Sequence, residues 1–177
     1  MKIIFSLLIG IAMSLVSQAQ TLAPIDTATK KISYTGVINV EKATQAVLFK
    51  RAHSLNVSGS GLITDKAADG YYSYKGQFPV SYHAPQPGLM HAGTVEYTVV
   101  MACKDGRYKY IITNFVHASD KGSGGPLEKS IPACNKYVLS LQGWGDIKRQ
   151  TAEQMDKLIA NMKVVMGNPE DKPVNVG

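Results

Sequence analysis

The stretch TVEYTVVMACKDGRYKYIITNFVH, residues 94–117, decides the architecture of this chain. Two alternating runs flank Lys104-Asp105-Gly106. Asp-Gly between such runs marks a hairpin, because glycine readily takes the positive φ that the turn requires. Val95, Tyr97, Val99 and Met101 fall on one face of the first run, with Thr94, Glu96 and Thr98 on the other. Tyr108, Tyr110, Ile112 and Phe115 populate the returning run, whose phase shifts near Thr113-Asn114. A cysteine beside a charged turn and a terminal histidine invite a catalytic reading. A reactive thiol needs an activating partner, and none stands near Cys103 in sequence. The stretch reads as the second half of an antiparallel meander.

Upstream, residues 61–82 read as two strands around a polar turn at residues 66–70. Tyr72, Tyr74, Phe78 and Val80 carry the period of two, and Pro79 puts this strand at an edge or a bulge, since proline cannot donate to a ladder. Residues 83–93, HAPQPGLMHAG, form a loop. Residues 32–40, ISYTGVINV, form another strand, and residues 41–55 an amphipathic helix with Val47, Leu48, Ala52 and Leu55 on one face. Asn39 is its expected N-cap, with Glu41 in the first turn. Downstream, residues 118–137 are rich in chain breakers and read as a surface loop. Trp144 falls in a short linking segment as a core plug. Asp146 or Thr151 caps a final helix whose Met155, Leu158, Ile159, Met162, Val165 and Met166 recur at helical spacing as core filling. Gly167 and Pro169 end that helix. The element order is β-α-β-β-β-β-α: an α+β domain with one curved antiparallel sheet of about five strands and two helices packed on one face.

The chain opens with MKIIFSLLIGIAMSLVSQAQ. Lys2, the apolar run at residues 3–16 and the small residues Ser17 and Ala19 predict a signal peptide cleaved between Ala19 and Gln20. The run is shorter than the roughly 20 apolar residues that span a bilayer, so no membrane span is expected after cleavage. The expected organisation is a signal peptide at residues 1–19, a flexible leader at 20–31, one domain at 32–166 and a mobile tail at 167–177. Export predicts a periplasmic or secreted protein. The formal charge of +6 would suit nucleic acid, but export argues against that partner; the excess suits anionic envelope polymers or, as the simpler reading, solubility. In an oxidising compartment Cys103 and Cys134 are either a disulfide or two buried free thiols; their spacing fits no zinc pattern.

The segments YTGVINV…ATQAVLFKRAHSL, ITDKAADGYYSYKGQF, GTVEYTVVMACKDGRYKYIITNFVH and the closing helix together resemble a family of exported bacterial domains of unknown function, domain of unknown function 4468. KDGRYKYIITNF at residues 104–115 is the most specific match, and DKAADGYYSYKG at residues 65–76 the second. The resemblance runs over residues 34–166 and is weakest at 118–145, which leaves Cys134 and Trp144 without family support. It implies a TBP-like fold and an envelope address. It implies no activity, and the name of a fold does not make the chain a DNA binder.

No GxSxG elbow, HExxH pair or P-loop occurs; Gly59 and Gly61 are followed by no GK[ST]. Asp65 and Asp69 flank a turn and serve its backbone. His53, His83, His91 and His117 match no metal signature, although the last three could gather at one sheet end. No catalytic residue, cofactor or metal is therefore expected. The favoured reading is a non-catalytic envelope module that binds an unknown envelope protein or small ligand, with no nucleic acid. Its candidate binding face comprises Tyr71, Tyr72, Tyr74, Tyr97, Tyr108 and Tyr110, and its candidate disulfide joins Cys103 to Cys134. The alternatives are a carrier holding an apolar molecule between sheet and helices, and an enzyme with an unrecognised site.

Overall fold

The computed structural model describes residues 23–56 and 61–167. The expected signal peptide, its cleavage point and the tail from residue 168 lie outside the described residues. The elements are β1 (Tyr34–Asn39), α1 (Gln45–Ser54), β2 (Leu62–Lys66), β3 (Tyr71–His83), β4 (Met90–Lys104), β5 (Arg107–Ala118), β6 (Gly125–Pro126) and α2 (Leu141–Gly167). The strands form one antiparallel sheet in the order β1-β5-β4-β3-β2, with β6 against β5. Apart from the two-residue β6, this is the order β-α-β-β-β-β-α.

The β4–β5 hairpin is built as its sequence dictates. Lys104 pairs with Arg107, and Gly106 takes a φ of 74°. The turn has a second use. The Asp105 carboxylate accepts the Gln45 N–H at 2.7 Å, and the Gly106 N–H donates to the Ala43 carbonyl at 2.8 Å. The hairpin tip thus anchors the start of α1. That helix is capped by Thr44, whose hydroxyl accepts from the Val47 N–H at 3.4 Å, rather than by Asn39, which ends β1. An acid supplied across space replaces the Glu41 expected in the first turn.

The phase shift in β5 is a β-bulge. Glu96 pairs with Val116 but Thr98 with Thr113, and Asn114 holds a φ of 58°. The extra residue returns Phe115 and His117 to the face already used by Tyr108, Tyr110 and Ile112. Pro79 sits where β3 has outrun its short neighbour β2, which pairs only as far as Tyr74. Further along that edge α2 closes the open ladder. Gln150 accepts the Ser81 N–H and donates to the Ser81 carbonyl, and Asp146 accepts the His83 N–H.

The helix α2 begins at Leu141, six residues before the apolar periodicity starts, so neither Asp146 nor Thr151 is its cap. Ser140 performs that role, accepting the Gly143 N–H at 3.1 Å. Gly143 and Gly145 obscure this first turn in the sequence, because glycine is a poor helix former. Gly143 is needed there: a Cβ would run into the His83 carbonyl. Trp144 lies within the helix rather than in a link, and joins Ile147, Thr151, Met155, Met162 and Met166 as its buried stripe. Full burial of each such apolar side chain contributes about 2 kcal/mol.

Residues 118–137, expected to be a surface loop, form with residues 138–140 a packed flap. Leu127 and Leu139 are buried, the Leu127 N–H donates to the Phe115 carbonyl, and Trp144 Nε1 donates to the Lys129 carbonyl at 2.9 Å. Residues 23–31 carry a turn closed by Asp26, whose carboxylate accepts the Ala28 and Thr29 N–H groups. No described helix is long and apolar enough to cross a membrane.

Candidate binding face

Register places each predicted site residue on one side of the sheet or the other. Tyr72, Tyr74, Tyr108 and Tyr110 are buried and Tyr97 is half-buried, all in the core that Leu48, Ala52, Trp144 and Met155 fill. Tyr72 packs its edge against Phe49 and stacks on His53 of α1 at 4.2 Å between ring centroids. Burial pushes the Tyr108 phenol up to about 12 and raises those of Tyr74, Tyr97 and Tyr110. The six-tyrosine binding face is thus corrected: of the six, Tyr71 alone points to the other side. Adjacent strand residues face opposite ways, so Tyr71 and Tyr72 could never have shared a face.

The candidate disulfide is corrected as well. Cys103 and Cys134 are free thiols. Cys103 lies opposite Tyr108 at the hairpin end, whereas Cys134 lies beside Gly122 in the flap. The flap joins the sheet where His117 pairs with Gly125 and with Val95, eight residues along β4 from Cys103. At about 3.3 Å per residue the flap's attachment point is roughly 26 Å from Cys103, which puts Cys134 toward the far end of the sheet from it, whereas a bridge tolerates about 7 Å or less. Burial also pushes the Cys103 thiol up to about 11, the opposite of an activated nucleophile.

His83, His91 and His117 lie at one end of the sheet, and His91 and His117 both pack against Tyr82, but His83 does not join them. His91 pairs with Tyr82 and His83 with Met90, so the two histidines are on opposite faces. His117 is buried between Tyr82 and Trp144, and its Nδ1 accepts the Gly124 N–H at 3.1 Å. His53 lies at the other end, its Nε2 3.1 Å from an Asp65 carboxylate oxygen, near enough for an ion pair but off the line of a hydrogen bond. Among the described residues no group of three His, Cys, Asp or Glu side chains could hold a metal.

The face turned away from the helices is the one that sequence reasoning missed. Cross-strand pairing lays out its rows. Val37, Lys109, Ala102, Tyr71 and Lys66 form one; Thr35, Ile111, Val100, Ser73 and Thr64 form the next; Thr113, Thr98 and Lys75 form a third. Val37 is 61% exposed, and Tyr71, Val100 and Ile111 are half-buried. Beyond these rows, Lys75, Glu96, Tyr97, Thr98, Asn114 and Val116 line a hollow of 260 Å³ at the bulge. The signal lay in the polar half of each alternation, which carries Lys75 and Lys109.

Two solved structures share this architecture. A DUF4468 family protein from Bacteroides ovatus ATCC 8483 aligns with a TM-score of 0.61 over 86% of this chain and 95% of its own, at 16% identity. A TBP-like protein from Parabacteroides distasonis ATCC 8503 aligns with a TM-score of 0.62 over 84% of this chain and 99% of its own, also at 16% identity. No family model matches the chain, and no curated protein does. The chain therefore has a TBP-like fold, and its architecture is similar to that of a protein from the family its sequence resembles.

Proposed function

We propose that the protein is an exported, non-catalytic binding module of the cell envelope, periplasmic or secreted, and that it docks through the uncovered face of its sheet. One observation carries this reading. Both helices pack on a single face, while the opposite face presents Val37, Tyr71, Val100 and Ile111 without any described element over them. An apolar row left uncovered on a sheet is a common mark of an interaction surface. The carrier reading has less support, because Trp144, Tyr72, Tyr82, Tyr108, Phe115 and Met101 fill the space between sheet and helices. Side-chain footprinting tests the proposal in cells that make the protein. Tyr71 and Lys109 should be protected relative to the purified chain, and Lys157 and Lys163 on α2 should not. Equal labelling at all four positions in both samples would end this reading.

A further inference from the structure

We infer that the partner of this face is an anionic phospholipid surface; the inference rests on the binding-module reading above. Lys66 and Lys109 project from the row that holds Val37 and Tyr71, Lys75 projects from the third row of the same face, and Lys104 and Arg107 pair on that face at the hairpin tip. All five cations are exposed, and none has an ion-pair partner among the described residues. Opposing charge is sparse. Glu96 is on the same face but beyond the third row, at the hollow, and Glu41 and Asp69 are exposed near the hairpin end. Asp105 is turned to the start of α1.

The spacing selects the partner. Lys109 and Lys66 stand three strand spacings apart, about 14 Å, with Ala102 and Tyr71 between them. Arg107 is about 7 Å along β5 from Lys109, and Lys75 about 13 Å along β3 from Tyr71. Such cations do not converge on one phosphate or carboxylate; they match an array of anions. The apolar floor inside their rim distinguishes a bilayer from a soluble polyanion. Long lysine and arginine stems reach a headgroup layer while valine, isoleucine and tyrosine rest against its apolar boundary. Each lysine or arginine held near an anionic leaflet adds attraction that salt screens.

Vesicle co-sedimentation of the chain as purified from the cell envelope tests this, comparing phosphatidylglycerol–phosphatidylcholine vesicles with phosphatidylcholine alone. The readout is the ratio of the two affinities, to which residues outside the described core contribute equally in every variant. The wild type should prefer anionic vesicles about tenfold or more at low salt and lose that preference in high salt. The double variant Lys66→Glu/Lys109→Glu should bring the ratio near unity, and Lys157→Glu/Lys163→Glu on α2 should retain it, with circular dichroism confirming the fold of each. A wild-type ratio near unity, equal loss in the α2 variant, or tighter binding to duplex DNA or polyglutamate than to vesicles would overturn the inference. If vesicles are not bound while Tyr71 and Lys109 are still protected in cells, lipid is excluded and the binding-module reading survives.

Discussion

One carboxylate oxygen of Asp146 accepts two hydrogen bonds from His83, from the backbone N–H at 3.1 Å and from ring Nδ1 at 2.6 Å. A carboxylate acceptor requires the proton on Nδ1, so the imidazole tautomer is set by the helix it touches. The pair fastens the free edge of β3 to the first turns of α2, where a bare strand would otherwise expose its ladder.

Asp146→Ala should lower the unfolding free energy by about 2 kcal/mol, the scale of hydrogen bonds to a charged group. Burial alone would raise the Asp146 pKa, but the two His83 bonds and Arg149 outweigh it and the value is lowered. A depressed carboxyl contributes stability above its unfolded value, near 4, and loses it as pH falls through the folded pKa. Urea titrations between about pH 2 and pH 5 should therefore show a shallower acid limb in Asp146→Ala than in the wild type. Parallel limbs would remove Asp146 from the account.

His117 should make the fold sensitive to milder acid. Its Nδ1 already accepts the Gly124 N–H, so a second ring proton has no acceptor there, and burial lowers its pKa. The unfolded ring takes its proton near about 6.5 and the folded one only at lower pH. The neutral ring's contribution is full above that unfolded value and is lost as pH falls through the folded pKa. The urea midpoint should drop from pH 7 to pH 5 in the wild type, and by less in His117→Gln. An identical drop in both would refute the assignment.

Two glycines in one helix turn should respond in opposite directions. Gly143→Ala drives a methyl group into the His83 carbonyl and should cost about 2 kcal/mol. Gly145→Ala meets nothing within 4 Å and should add up to about 1 kcal/mol through helix propensity. Thermal unfolding of the two variants checks the pair; loss of stability in both would mean that the first turn of α2 is not held as described.

Thiol chemistry should report two free cysteines. Intact mass should not change on reduction, half-buried Cys134 should alkylate in the native protein, and Cys103 only on unfolding. A gain of two hydrogens on reduction would show a bridge.

Local signals were legible where local physics is sufficient. Asp105-Gly106 marks a tight turn, Pro79 belongs where a strand lacks a neighbour on one side, and Met155, Met162 and Met166 repeat at helical spacing. The start of α2 was illegible because Gly143 answers a contact with His83, 60 residues away in sequence. The acid at the start of α1 was hidden in the same way, since Asp105 reaches Gln45 from the β4–β5 hairpin.

The element order, the hairpin, the phase shift near Asn114 and which strand residues alternate together were readable from the chain alone, because they follow from backbone sterics and period-two geometry. Tertiary structure alone decided which half of each alternation is covered. Periodicity separates Tyr71 from Tyr72 but assigns neither to the core; packing of α1 and α2 buried the tyrosine set and left Val37, Lys66, Lys75 and Lys109 facing outward. The candidate site changed faces for that reason.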